Sequence, residues 1–161
     1  MARPDVEPVL ALHRVTRIVG YDRHDLAALV ADVRHYPDFV PWVTSMRVWN
    51  QREEDGVAHL DAEAQVGFSF LKERFSTWVR HDPLKPVVEV GLIRGPFKHL
   101  KNRWEFHDDP KGTRLEFMID FAFRSPLLNA MLAANFDRAV NALIRCFEAE
   151  AERRYGKAQR L

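Results

Sequence analysis

The side chains whose types could do chemistry are spread thinly along the chain. Seven histidines stand at positions 13, 24, 35, 59, 81, 99 and 107. None falls in an HxH or HExxH spacing, the arrangements that bring imidazoles onto one metal ion, so no metal site is expected. Cys146 is the only cysteine, which excludes an internal disulfide and a cysteine metal cluster. Inside a helical pattern it reads as a small buried residue rather than a catalytic thiol. No GxSxG elbow accompanies the serines. The seven glycines form neither GxGxxG nor GxxxxGK, so the sequence carries no phosphate loop.

The elements that would position such groups follow from patterning. At 161 residues the chain has the size of one domain, able to bury roughly 70% of its unfolded surface. Its 47% hydrophobic and 29% charged residues argue against disorder. A net charge of +1 argues against a dedicated nucleic-acid binder, and DNA is not an expected partner. The first eight residues hold Arg3, Asp5 and Glu7 and no apolar h-region, so they are not a signal peptide. No run approaches the ~20 apolar residues that span a bilayer. The expected location is the cytoplasm, from which the protein could touch the inner membrane peripherally.

Residues 1–8 and 156–161 read as flexible tails around a single domain at 9–155. Residues 9–19 are rich in β-branched side chains and predict a strand. Asp22 is a helix N-cap, and Leu26, Leu29, Val30 and Val33 follow at helical spacing, predicting a helix over 23–34. Pro37 and Pro41 make 35–42 a tight, aromatic-rich connection. The period then switches to two. Strands are predicted at 43–51, at 58–70, through Phe75, Thr77 and Val79, at 87–93, around Trp104 and Phe106, and from Leu115 to Phe123. Gly56, Gly95-Pro96 and Lys111-Gly112 mark turns.

Short connections imply an antiparallel meander with one covered face. Its cover is a helix beginning at the Ser125 N-cap and Pro126 and closing near Arg153, Arg154 and Gly156. That is about 30 residues, or ~45 Å. The fold class is therefore α+β, a curved antiparallel sheet wrapped around a long C-terminal helix. Phe136, Val140, Leu143, Ile144, Phe147 and Ala151 form one stripe on that helix, whereas Leu127 and Met131 fall off it. The first turns are thus apolar over a wide arc. Contact with a sheet edge is the ordinary explanation; a greasy entrance or a membrane-facing patch is the sharper one.

The inner faces carry aromatic bulk and few acids or bases. Asp61, Glu63, Glu105, Glu116 and Asp120 alternate outward, leaving His13 or Arg14 and Thr77 as the inward polar candidates. The residues expected to surround an apolar ligand are Phe39, Trp42, Val66, Phe68, Phe70, Phe75, Leu92, Phe97, Trp104, Phe106, Phe117, Ile119, Phe121, Phe123, Leu128, Met131, Leu132 and Phe136. For any one of them an ordinary core position is the simpler reading, but a sheet closed by one helix can leave an apolar cavity.

Three segments carry a family resemblance. Asp32-Val33-Arg34-His35-Tyr36-Pro37-Asp38-Phe39-Val40-Pro41-Trp42 resembles the DVxxYPxFxPW opening of the coenzyme Q-binding, START-like proteins. Gly95-Pro96-Phe97-Lys98-His99-Leu100, followed by Trp104-Glu105-Phe106, resembles their GPFKxL…WxF segment. Residues 115–123 resemble their penultimate element, and the match spans roughly 12–152. The resemblance implies the helix-grip fold, and non-catalytic binding of a polyprenyl quinone such as ubiquinone in support of respiratory electron transfer. Ubiquinone would be a bound ligand and not a catalytic cofactor. The family's bacterial members include a toxin described as associating with ribosomes, and its distant relatives include polyketide aromatases and cyclases. A ribosome-associating regulator and a cyclase-type enzyme are accordingly the alternatives. The first needs a basic surface for the large ribosomal subunit, with Arg153, Arg154, Lys157 and Arg160 as a start, and the second needs an inward ionisable group. The matched motifs are turns and aromatics, so no catalytic residue carries over. At the Gly95-Pro96 tip, Phe97 beside Lys98 would suit a lipid headgroup region.

Overall fold

All seven anticipated strands form and join one sheet. The fold is that of a computed structural model describing residues 12–68 and 71–158, with only the backbone of Phe68 and Leu71. In chain order the elements are β1 (Leu12–Val19), α1 (Arg23–Ala31), a 3-10 turn (Val33–His35), α2 (Tyr36–Phe39), β2 (Val43–Glu54), β3 (Val57–Phe68), β4 (Leu71–Asp82), β5 (Val87–Arg94), β6 (Phe97–Asp109), β7 (Gly112–Phe123), α3 (Pro126–Ala133) and α4 (Phe136–Tyr155). Residues 1–11, 69–70 and 159–161 lie outside the described residues, and with them the expected N-terminal tail, the start of the first strand, the end of the third and half of the C-terminal tail.

The sheet order is β1-β7-β6-β5-β4-β3-β2. β2 to β7 form the expected antiparallel meander, and β1 closes back beside β7. The sheet is curved, and the C-terminal helices lie against its inner face: this is the helix-grip, START-like architecture. At the Lys111-Gly112 turn a Cβ on Gly112 would fall 2.4 Å from the Val19 carbonyl oxygen, so only glycine lets β7 start so close to the end of β1.

Two helix boundaries differ from expectation. α1 stops at Ala31 rather than at 34, because Asp32 leaves helical geometry. Its carboxylate binds Arg154 at 3.2 Å and His35 at 2.8 Å. The single 30-residue cover is in fact two helices, parted at Ala134–Asn135. The off-stripe residues explain the break. A continuous helix would turn Leu127 and Met131 to the side of Arg138 and Arg145. Parting the helix lets α3 lay Leu128, Asn129 and Leu132 on the sheet while α4 buries its own stripe of Phe136, Val140, Ile144 and Phe147. Asn129 fastens α3 to the end of β7, accepting from the Phe123 N–H at 2.8 Å and donating to the Phe123 carbonyl at 3.1 Å.

Candidate binding site

Register decides which side chains face the helices. One inward row crosses the sheet through Val15, Phe117, Trp104, Val88, His81 and Ala58; the next crosses through His13, Ile119, Asn102, Val90, Val79 and Leu60. The expected aromatics converge there. Phe97, Trp104, Phe106, Phe117, Phe121, Phe123 and Phe136 are all buried. Their rings meet directly: Trp104 with Phe117 at 4.8 Å, Phe97 with Phe123 at 4.9 Å, Phe121 with Phe136 at 5.4 Å between centroids. Such pairs contribute about 0.5–1.5 kcal/mol beyond burial alone. Phe75 packs on Phe97 at 5.3 Å. Leu92, Ile119, Leu128 and Leu132 are partly buried against this cluster. Trp42, Val66 and Met131 are only half-buried. The side chain of Phe68 and all of Phe70 lie outside the described residues.

Phe147 was on the predicted helix stripe but not among the expected site residues, and it turns out to be central. It meets Trp104 at 5.1 Å, and Tyr36 and Phe39 each at 5.2 Å. The connection 35–42 thereby plugs one end of the grip. The Tyr36 hydroxyl donates to the Val30 carbonyl, and burial pushes that hydroxyl above its usual range. Phe97 does not sit beside Lys98 on the surface. An extra residue at Lys98 shifts the β6–β7 register, so Phe97 turns inward, 7% exposed, while Lys98 stays out.

The interior holds more polar groups than patterning suggested. His13 and Thr77 face inward as anticipated, but Arg14 points out and is exposed, because it shares the outer face with Met118. Arg17, His81 and Asn102 also face inward and were missed; the alternation of Val15, Arg17 and Val19 was the available signal for the first. Arg17 and Asn102 have partners. Arg17 donates to Asn141 Oδ1 at 3.0 Å and lies 3.6 Å from Glu148. Asn102 donates to the Met118 carbonyl and accepts from the Trp104 indole N–H, both at 2.8 Å. Burial lowers the pKa of His81, which favours its neutral form. His13 differs. Its ring lies 3.8 Å from that of Phe136, and its Nε2 is buried with no hydrogen-bond partner. Buried polar atoms in folded proteins ordinarily pair with a protein group, water or a ligand.

Outside the grip, Glu105, His107 and Glu116 bring ligand atoms within 4.8 Å of one another, a cluster that spans two strands and so escapes any linear motif. Both carboxylates are already committed. Arg103 donates to Glu105 at 2.6 Å and holds its carboxyl below the usual range, and Arg114 donates to Glu116 at 3.0 Å. A cation would have to displace them. Of the four cations expected to start a basic surface at the end of α4, Arg153 and Arg154 both bind Glu150 and Arg154 also binds Asp32, whereas Lys157 is exposed and Arg160 lies outside the described residues. A pocket of about 230 Å³ lies between α1 and the inner faces of β3 and β4, and an open groove of about 780 Å³ lies on the sheet between β5 and β6. Among the described residues no helix is long and apolar enough to cross a membrane.

Comparison with known proteins gives these features a context. The family model for polyketide cyclase / dehydrase and lipid transport matches residues 19–148. Ribosome association toxin RatA of Rickettsia prowazekii is 29% identical over 140 residues, which are 85% of this chain and 93% of that protein. Coenzyme Q-binding protein COQ10 homolog B, mitochondrial, of Xenopus laevis is 30% identical over 160 residues, 94% of this chain but 64% of that longer protein. The solution structure of an 18 kDa protein from Caulobacter crescentus superposes with a TM-score of 0.78 at 53% identity, covering 91% of this chain and 99% of that one.

Proposed function

The chain belongs to the polyketide cyclase / dehydrase and lipid transport family, and from that premise we propose that it is a non-enzymatic carrier of an isoprenoid quinone or a similar lipid. The observation that carries this reading is the aromatic interior with one buried, unpartnered imidazole nitrogen, His13 Nε2. A neutral imidazole nitrogen donates to a carbonyl in one tautomer and accepts from a hydroxyl in the other. His13 could therefore hold either redox form of a quinone headgroup, with the ring stacked among Phe121 and Phe136. The isoprenoid chain would lie beneath α3, where Leu128, Met131 and Leu132 are only partly covered. The relative named as a coenzyme Q-binding protein supports the ligand class. Arg17 and Asn102, inward polar groups, are tied to protein partners, which supports a carrier over a cyclase.

Organic extraction of the purified protein followed by mass spectrometry is the test, together with titration of ubiquinone against the emission of Trp104, which is 3% exposed. Recovery of a quinone or lipid, with saturable quenching, is expected. Neither lipid in the extract nor quenching on titration would end this reading. Ribosome association is the second reading, favoured by the near-complete correspondence with a relative of that name, 93% of whose length is matched. Co-sedimentation with the large ribosomal subunit at moderate salt tests it, and absence from that fraction counts against it.

A further inference from the structure

β5 and β6 part before they reach their shared turn. Their ladder ends at Gly91 and Lys101. Beyond that pair β5 stays joined to β4 as far as Arg94, and β6 to β7 as far as Phe97. Each strand carries one extra residue on this stretch, Ile93 in β5 and Lys98 in β6. A bulge bends its strand and breaks its pairing, and two bulges on facing strands hold them apart. The gap is the groove of about 780 Å³. Its walls come from both faces of the sheet: Trp78, Lys98 and Lys101 from the outside, Leu92 and Leu100 from the apolar side. The Trp78 indole lies so close over Gly91 that a Cβ there would fall 2.2 Å from the ring, so glycine lets the indole form a flat wall. His99 Nε2 and Asp120 Oδ1 satisfy each other at 2.8 Å. Lys98 and Lys101 are exposed and have no acidic partner among the described residues.

The surroundings repeat this chemistry. Arg94 and Arg124 are likewise exposed and unpaired among the described residues, and the Arg124 N–H bonds the Pro96 carbonyl at 2.9 Å, which places both at the same end of the sheet. Beside them Ile93 is 46% and Leu127 68% exposed. Cations bordering apolar side chains match a molecule with an anionic head and a hydrocarbon chain. We propose that the groove between β5 and β6 binds an anionic amphiphile, its phosphate head between Lys98 and Lys101 and its chain against Trp78, Leu92 and Leu100. The groove opens on the outer face and borders the interior only through Leu92 and Leu100, and it does not depend on the quinone reading.

The test uses the full chain and dodecyl phosphate below its micellar concentration, followed as the Trp78 emission that a Trp78→Phe protein lacks. Inorganic phosphate, dodecanol and oligouridylate run in parallel, as do phosphatidylcholine vesicles with and without phosphatidylglycerol. Dodecyl phosphate should bind better than either of its halves, and Lys98→Gln and Lys101→Gln should each weaken it about fivefold, the equivalent of ~1 kcal/mol per cation. Binding to phosphatidylglycerol vesicles identifies a lipid surface as the source, and binding to the monomer alone a free amphiphile; both support the site. Inorganic phosphate binding as well as dodecyl phosphate, oligouridylate displacing it more effectively, or lysine variants binding like the parent would each overturn it. Ubiquinone uptake by the lysine variants should equal the parent's; its parallel loss would merge groove and interior and overturn the separate site.

Discussion

Replacing His13 by phenylalanine should stabilise the ligand-free protein while weakening its hold on a quinone. The imidazole lies 3.8 Å from the Phe136 ring at an interplanar angle of 33° and faces inward beside Ile119. Its Nε2 has no partner and is buried. Keeping such a group from water costs about 1–3 kcal/mol. A phenyl ring keeps the contact with Phe136 and removes the nitrogen, while its slightly larger bulk takes back about 1 kcal/mol through crowding. The net gain should be ~1 kcal/mol, read as a higher urea midpoint at unchanged slope. Binding should move the other way. One hydrogen bond is worth about 0.5–1.5 kcal/mol, so the quinone Kd should rise between twofold and about tenfold. His13→Gln, which keeps a donor and an acceptor, should retain more of the affinity. A His13→Phe protein less stable than the parent by about 1 kcal/mol or more would mean that the nitrogen is already satisfied in the free protein. An unchanged Kd would place the headgroup elsewhere. Either result refutes the reasoning.

Two further outcomes test the supports of the grip. Asn129→Ala removes both bonds to Phe123 from a side chain 8% exposed, stranding a buried N–H and a buried carbonyl, so a loss of about 3 kcal/mol is expected. Hydrogen exchange should show α3 losing protection before β7; protection retained in α3 would mean that Asn129 is not its anchor. Glu150 is 5% exposed, and hydrogen bonds from Arg153 first and Arg154 second hold its carboxyl down to about 2. A carboxyl depressed in the folded state adds stability above its unfolded pKa, here near 4.5, and loses it as pH falls through about 2. Because Arg153 is 70% exposed and screened, the contribution is put at ~2 kcal/mol. Glu150→Gln should thus be less stable than the parent at neutral pH, and the two urea midpoints should converge between those pH values. A gap that persists to the acid end would show that the effect is one of packing.

The fold was legible because its signals are local. Leu115, Phe117, Ile119, Phe121 and Phe123 alternate so regularly that strand, face and covering layer follow from one segment. What escaped depends on register between distant segments. The opening between β5 and β6 rests on two single-residue bulges at Ile93 and Lys98, and no residue type marks a bulge there. The same bulge turned Phe97 inward, where it was expected among the ligand-lining aromatics, and away from the tip position beside Lys98. The helix break was half legible: the misplaced Leu127 and Met131 showed in the sequence, but Ala133-Ala134-Asn135 contains no glycine or proline to mark the end of α3. Glu150 likewise escaped composition, since one buried carboxylate binds two of the four cations read as the start of a basic surface.

An interior filled with touching rings admits a long ligand only if an element moves, and the two C-terminal helices differ in what moving them costs. Displacing α4 would expose Phe136, Val140, Ile144 and Phe147, all buried, at roughly 1.5–3 kcal/mol each. It would also break the Arg154–Asp32 contact that ties its last turn to the end of α1. α3 gives up far less. Leu128, Met131 and Leu132 are already partly exposed and Leu127 is 68% exposed, so the Asn129 pair and the Ser125 cap on the Leu128 N–H are its main holds. At its far end Asn135 begins α4 without a side-chain cap bond, so a change of angle there sacrifices no such contact. The helix break therefore has a mechanical consequence. By ending α3 short of the packed stripe, the chain separates a small cover from a fixed wall, and the two meet next to Phe136, the ring against which His13 lies.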